Sequence, residues 1–227
     1  MKNIQLIGLI LILLSCKIVE KRTPDTEFYS LKGNVKFVSE KMIATIYDEF
    51  LDTTKSYFTI VNRSFDKNGY INLIEYLSED SILLSRIKYD KNEHGHTVQF
   101  DKDGNQQSMT KKVSTKDDVF YVETYAFKSN EVLQKTWTKL ENGRMAWQKS
   151  LRVKDSVYFE SIYYRNNEGL DTLVKNKFGY ENSENYRLTY VKYLSFDKKG
   201  NWTERLEYSL NDTNNYIVKQ RRIEYYE

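Results

Sequence analysis

The sequence predicts an all-β protein, an antiparallel sheet of repeated hairpins that is curled or rolled and has about 12–14 strands. Three observations predict this fold. A short turn motif, aromatic-Asp-x-x-Gly, recurs along the chain. Turn signals follow one another at intervals of roughly 10–16 residues, which leaves room for strands of about 8–10 residues. Aromatic residues make up 15% of the chain, and they favour strands.

The recurring turn is clearest at residues 195–202, which read Ser-Phe-Asp-Lys-Lys-Gly-Asn-Trp. Close copies occur at residues 65–70 and 100–105, and a stretched copy spans residues 89–95. An Asp that opens a type I turn bonds the backbone two residues on, and Gly takes the left-handed position that closes the hairpin. The aromatic residue before the Asp is then expected to pair across the hairpin with the Asn, Tyr or Trp that comes after the Gly.

The first 15 residues have the features of a lipoprotein signal peptide. Lys2 supplies a positive charge, residues 6–14 are almost wholly apolar, and the run Leu-Leu-Ser-Cys at residues 13–16 resembles a bacterial lipobox. The apolar run is too short to span a bilayer, which needs roughly 20 residues. The resemblance implies cleavage before Cys16 and attachment of acyl chains, such as palmitate, to that residue. The alternative is an ordinary signal peptide with an incidental Cys.

Two regions follow the leader. Residues 16–30 are polar, contain Pro24 and show no periodicity, which predicts a flexible tether. Residues 31–227 are then one repeat domain. Within it, residues 35–51 fit both a strand and a helix, because their apolar positions match either spacing. The frequent Ile, Thr and Tyr, and a turn signal at Gly33, favour the strand.

The later strands predict how the sheet is arranged. From Gly143 onward, glycine turns alternate with turns built from Ser, Asp and Asn, so the two kinds of turn are expected at opposite edges of the sheet. Residues 202–210 alternate, with Leu206 on one face and Arg205 and Glu207 on the other. Other strands, such as residues 157–164, are apolar on both faces and need cover on both. The sheet is therefore expected to curl.

The composition argues against nucleic-acid binding and against an intramolecular disulfide. The chain has 35 basic and 32 acidic residues, a balance that lacks the strong basic surplus of a nucleic-acid-binding protein. The chain has a single Cys, so an intramolecular disulfide is impossible.

The turn units, together with residues 31–35, 200–205 and 222–226, resemble the YD (RHS-type) repeat family. More narrowly, they resemble short bacterial lipoproteins that carry such repeats. The resemblance covers about residues 31–227, although the copies between residues 113 and 185 are degenerate. It implies a spiralling β-sheet and an exported location, and it supplies no catalytic residue.

Candidate catalytic and metal-binding residues are few. His94 and His96 share one expanded turn with nearby acidic residues, but two His on one loop do not make a metal site of three or four ligands. Residues 101–105 are similar to a calcium loop, yet Gln99 and Thr110 stand where Asp and Glu are needed. No nucleophile–His–acid set is evident. We therefore expect no metal, no cofactor and no enzymatic activity.

Aromatic residues interleaved with Lys and Arg form a candidate binding face, comprising Trp137, Tyr190, Tyr193 and Trp202. The alternative is that they are cross-strand ladders with a structural role. The sequence thus predicts an envelope lipoprotein outside the cytoplasm, held on the membrane through lipidated Cys16. It would act as a non-catalytic interaction module for a protein or glycan. A second hypothesis is a carrier of lipid or another apolar ligand, with a helix at residues 35–51 over a curved sheet. A third is a hydrolase, for which no residues can be named.

Overall fold

The computed structural model describes residues 24–48, 52–89, 96–116, 118–180, 186–210 and 212–227. These residues form one short helix, α1 (Asp25–Phe28), and fourteen strands. The strands are β1 (Val35–Asp48), β2 (Thr53–Phe65), β3 (Ile71–Leu77), β4 (Leu83–Tyr89), β5 (Thr97–Asp101), β6 (Gln106–Lys116), β7 (Val119–Ala126), β8 (Val132–Glu141), β9 (Arg144–Arg152), β10 (Val157–Arg165), β11 (Asp171–Gly179), β12 (Tyr186–Phe196), β13 (Trp202–Ser209) and β14 (Asp212–Tyr225). The predicted leader and Cys16 lie outside the described residues.

The strands form a closed antiparallel barrel. Each strand pairs with the next in the chain, and β1 pairs with β14, from Val35 opposite Tyr225 to Thr45 opposite Tyr216. The all-β antiparallel prediction is confirmed, and the curling it expected goes as far as complete closure. Closure pairs the free backbone groups that the two outermost strands would otherwise expose.

Residues 35–48, which fit both a helix and a strand by pattern, form β1. The strand pairs with β2 on one side and β14 on the other. The helix at residues 35–51 that the carrier hypothesis requires is therefore wrong for residues 35–48; residues 49–51 lie outside the described residues. Two flanking strands saturate the backbone of β1 with ladder hydrogen bonds, and this tertiary context outweighs the helical spacing of its apolar side chains.

The predicted turn chemistry is confirmed. An Asp66 carboxylate oxygen accepts the N–H groups of Asn68 at 2.9 Å and Tyr70 at 3.0 Å, and Gly69 closes the turn at φ +82°. The turns that open at Asp101 and Asp197 repeat these bonds. A fourth copy uses Asn166 in place of Asp, within the region where the repeat is degenerate in sequence.

The predicted cross-strand pairs are confirmed only in part. Phe196 lies opposite Trp202, as expected. Phe65 lies opposite Ile71 instead of Tyr70, and Phe100 lies opposite Gln106. A bulge at each hairpin end moves the partner to the second residue after the Gly.

The two ends of the barrel carry different turns. The near end is defined here by the turns that contain Gly69, Gly143, Gly169 and Gly200, and the far end by the turns that contain Ser81, Gly104, Asn130 and Ser156. From Gly143 onward the glycine turns all lie at the near end, as the alternation in the sequence predicts.

The N-terminal segment closes the near end. The Thr26 N–H donates to the Gly69 carbonyl at 3.1 Å, and the Asp25 carboxylate accepts the Ile71 N–H at 2.8 Å. Helix α1 also contacts β9, which lies seven strands away from β2 around the barrel. Residues 24–30, the end of the predicted tether, therefore pack across the barrel mouth and are here called the lid. No helix among the described residues is long and apolar enough to cross a lipid bilayer.

The apolar core lies beside this lid, inside the near end. It consists of the buried residues Leu31, Val35, Val38, Val61, Phe65, Ile71 and Ile74. The lid residue Tyr29 packs on this core, and its ring meets the Phe65 ring edge-on with centroids 6.2 Å apart. The core therefore fixes the lid to strands β1–β3.

Gly69 offers a test of the lid. Both Gly69→Ala and Gly104→Ala place a Cβ at positive φ, which costs about 1–2 kcal/mol. At Gly104 that Cβ meets nothing within 4 Å, whereas at Gly69 it would lie 2.6 Å from Thr26 Oγ1 and 3.1 Å from Pro24 Cβ. We expect Gly69→Ala to be the more destabilising in urea unfolding, and to make residues 24–31 accessible to limited proteolysis. Equal effects of the two variants would contradict the docked lid.

Candidate ligand-binding lumen

The barrel encloses a cavity of about 840 Å³ toward its far end, here called the lumen. Strands β1 and β10–β14 supply its wall. Its lining combines hydrogen-bonding side chains with aromatic rings, including Ser161, Asn176, Arg187, Thr189, Tyr163 and Phe159. Adjacent residues of a strand point to opposite faces. Residues next to these in sequence, such as Glu160 and Leu188, therefore face outward.

A buried ion pair lies deeper in the barrel, toward the lid. Glu40 of β1 and Arg221 of β14 are direct cross-strand partners, and the Arg221 Nε donates to the Glu40 carboxylate at 2.7 Å. Their side chains are only 6% and 7% exposed. Arg63 of β2 approaches the second carboxylate oxygen at 3.6 Å. One buried carboxylate thus serves two guanidinium groups.

A second group also places one carboxylate between two cations, here an Arg and a Lys. The Glu207 carboxylate lies 2.5 Å from Arg205 Nη2 and 2.8 Å from Lys219 Nζ. All three side chains are at least four-fifths buried. The two groups together form what we call the inner charge cluster, which consists of Glu40, Arg63, Arg205, Glu207, Lys219 and Arg221. It holds four cations against two carboxylates.

The electrostatics of the inner charge cluster follow from this imbalance. Burial raises the pKa of Glu40, but the four surrounding cations, Arg221 foremost, outweigh it and lower the pKa from 4.5 to about 2. Burial lowers the pKa of Arg221 to about 10, although Glu40 opposes the change. The pKa of Glu207 is also lowered, because Lys219 and Arg205 outweigh its desolvation. Both carboxylates are therefore ionised at neutral pH.

Aromatic rings support the arginines. The Arg221 guanidinium lies 3.5 Å and the Arg205 guanidinium 4.5 Å from the centre of the Trp202 ring. Arg63 lies 5.0 Å from the centre of the Tyr29 ring. Such contacts hold a guanidinium plane in place while leaving its edge free to donate hydrogen bonds.

The four residues of the predicted binding face occupy three separate places. Tyr193 and Trp202 meet inside the barrel, with ring centroids 6.1 Å apart. Trp137 stacks on Tyr121 of the neighbouring strand at 5.1 Å. Tyr190 stacks on Tyr208 at 5.9 Å, in both cases as a cross-strand pair. Only Tyr193 and Trp202 therefore lie beside the inner charge cluster.

The outer wall of the barrel is charged as well as aromatic. Glu160 of β10 lies directly opposite Lys149 of β9 and Lys177 of β11. All three side chains face away from the lumen. Lys149 lies 4.5 Å from the centre of the Tyr158 ring, and Lys175 lies 3.7 Å from that of Tyr186. These contacts join neighbouring strands on the outside of the barrel.

The residues considered for metal binding are placed only in part. His94 lies outside the described residues. Both Asp101 carboxylate oxygens accept hydrogen bonds from its own hairpin, including Asn105 and Gln107, so the pattern that is similar to a calcium loop is a turn motif. Within the described ranges, no group of three or more His, Cys, Asp or Glu side chains could hold a metal ion.

Sequence reasoning missed the inner charge cluster. The alternation in β13 placed Arg205 and Glu207 on one face, but nothing in the sequence marked that face as the inside. Glu40, Arg63 and Arg221 come from three strands separated by up to 181 residues of chain. A charged residue at an otherwise apolar strand position, as at Glu40 after Val38, was the one local signal available.

Comparisons with known proteins give only weak likenesses, all of them to solved structures. No family model and no curated protein sequence matches this chain. Among solved structures, a porin-like protein from Bacteroides vulgatus ATCC 8482 is 10% identical, with 86% of this chain and 99% of that chain covered and a TM-score of 0.44. A porin-like protein from Bacteroides uniformis ATCC 8492 is also 10% identical, with 84% and 99% covered and a TM-score of 0.42. Likenesses of this degree carry no conclusion about function.

Proposed function

We propose that this protein is a non-catalytic binding protein of the bacterial cell envelope that receives an oligosaccharide in the lumen of its barrel. The observation that carries the proposal is the lumen itself. Its volume of about 840 Å³ suits a small molecule of several rings. Sugars present hydroxyl groups and apolar C–H faces. In the lumen, Asn176 and Arg187 can hydrogen-bond to the hydroxyl groups. The rings of Tyr163 and Phe159 can stack on the C–H faces.

The charges inside the barrel favour binding over catalysis. A general acid or base needs a pKa near the working pH. The carboxylates of Glu40 and Glu207 are each held by two cations, and Asp171 is held by Arg165 at 2.9 Å. Glu40, with a pKa of about 2, holds no proton to donate at neutral pH. Ion-paired groups of this kind position a ligand rather than exchange protons with it.

Attachment to the membrane would fall to Cys16. The outer wall carries Lys149, Glu160 and Lys177 within its strands, and each outward Lys would cost about 2–4 kcal/mol at the centre of a bilayer. A barrel wall of this kind is suited to water. Lipidated Cys16 lies eight residues before Pro24, so it would hold the near end within roughly 30 Å of the membrane.

Binding of fluorescent oligosaccharides tests this proposal. It is measured in the membrane and soluble fractions of cells that express the full chain. We expect binding in the membrane fraction, and its transfer to the soluble fraction in Cys16→Ser. Thr189→Trp fills the lumen and should abolish binding, whereas Leu188→Trp, its outward-facing neighbour on β12, should not. Failure of a panel of neutral and acidic oligosaccharides to bind, or equal binding by the two Trp variants, would reject the proposal.

A further inference from the structure

The inner charge cluster has more positive charge than its own pairing requires. Two carboxylates balance two of its four cations and leave a surplus of two positive charges in a buried site. Several of its hydrogen-bond donors also lack a partner among the described residues. They are Arg63 Nε and Nη1, Arg205 Nε and Arg221 Nη1. A buried donor without a partner is costly, so a surplus concentrated at one place calls for an acceptor.

The inner charge cluster lines a smaller pocket between the lid and the lumen. The lid residues Phe28 and Tyr29 lie on its near side, and Trp202 forms part of its wall. Four residues line both the pocket at the inner charge cluster and the lumen: Tyr163, Asp171, Arg205 and Lys219. A ligand in the lumen therefore lies directly against Arg205 and Lys219, two cations of the inner charge cluster.

We propose that the inner charge cluster binds an oxyanion group, a carboxylate or a sulfate or phosphate ester, carried by the ligand in the lumen. The inference rests on the proposed function, because it makes the oligosaccharide an acidic one. Guanidinium groups match the two oxygens of such anions, and the guanidinium groups of Arg205 and Arg221 both lie within 4.5 Å of the centre of the Trp202 ring. A purely structural role for the cluster accounts for one cation per carboxylate and leaves the other two unexplained.

Arg205→Met is the informative variant. It removes one positive charge and one unpartnered donor, yet Glu207 keeps Lys219 at 2.8 Å, so neither carboxylate is left unpaired. Arg222→Met is the matched control, because Arg222 lies outside the barrel with a side chain 74% exposed and paired to Glu224 at 3.5 Å. Thermal unfolding of both variants establishes that they fold before binding is measured.

Calorimetric titration of the full-length protein in detergent uses three probes: trigalacturonate, the neutral trisaccharide maltotriose, and citrate. We expect trigalacturonate to bind at least about tenfold more tightly than maltotriose, and Arg205→Met to lose about tenfold of that affinity while Arg222→Met loses none. A phosphorylated or sulfated trisaccharide in place of trigalacturonate distinguishes the kinds of anion.

Each outcome decides between the two proposals. Equal affinity for maltotriose and trigalacturonate, unchanged in Arg205→Met, overturns the anion site and leaves saccharide binding standing. Citrate binding that Arg205→Met weakens, with no saccharide bound, supports the anion site and overturns the proposed function. Binding of none of the probes, anionic trisaccharides included, overturns both, and water alone would then satisfy the arginines.

Discussion

Glu40→Gln is expected to destabilise the protein by about 3–5 kcal/mol, which is the cost of removing one partner from a buried ion pair. The substitution keeps the shape of the side chain but leaves Arg221, 7% exposed, and Arg63 without a carboxylate. The surplus of positive charge inside the barrel would grow from two to three. Urea denaturation followed by circular dichroism measures the loss.

Glu224→Gln is the matched control for this variant. Glu224 also pairs with an Arg, but on the outer wall, where its side chain is 48% exposed. Its loss should cost less than about 1 kcal/mol. If Glu40→Gln does not fold, the double variant Glu40→Gln with Arg221→Met should recover the fold, because it removes both charges of the pair. Equal stabilities of the two Gln variants would refute the role assigned to Glu40.

The same ion pair predicts how stability depends on pH. The pKa of Glu40 is about 2 in the folded protein against 4.5 when unperturbed, so its contribution is fully present above pH 4.5 and is lost as the pH falls toward 2. A difference of this size in pKa corresponds to about 3 kcal/mol. In Glu40→Gln, the part of the acid destabilisation that comes from this residue should disappear.

Asn201→Ala is expected to cost about 2–3 kcal/mol, because the Asn201 amide joins the two ends of the chain. Its oxygen accepts the Lys32 N–H at 2.6 Å, and its nitrogen donates to the Lys32 carbonyl at 3.0 Å and to the Tyr225 hydroxyl at 2.6 Å. Asn201 is only 1% exposed. Its removal leaves these groups unpaired where the lid, the β12–β13 turn and the last strand meet.

Asn105→Ala is the control for Asn201→Ala. Asn105 occupies the same place in the same turn motif, but its exposed amide donates to Asp101 within its own hairpin. We expect a loss below about 1 kcal/mol there. Limited proteolysis should also cleave residues 24–34 faster in Asn201→Ala than in Asn105→Ala. Similar losses of stability in both variants would show that the motif acts only within its turn.

The two asparagines differ in a way that could not be predicted from the sequence. Asn105 and Asn201 stand in nearly identical local sequences, and both turns form as predicted. The sequence cannot tell that one amide is exposed and the other holds Lys32 of the N-terminal segment, since that contact spans 169 residues. For the same reason Trp137 and Trp202, grouped by composition, lie on opposite sides of the wall.

The features that could be predicted from the sequence are local ones. Asp66, Asp101 and Asp197 bond their own turns, glycine takes the left-handed position, and strands of a few residues follow, because these interactions lie within one hairpin. Tertiary structure alone decided that β1 meets β14 and that Glu40, Arg63 and Arg221 face inward. A period of two separates the faces of a strand, but both faces here carry aromatic and charged residues. Only closure of the barrel made one of them the inside.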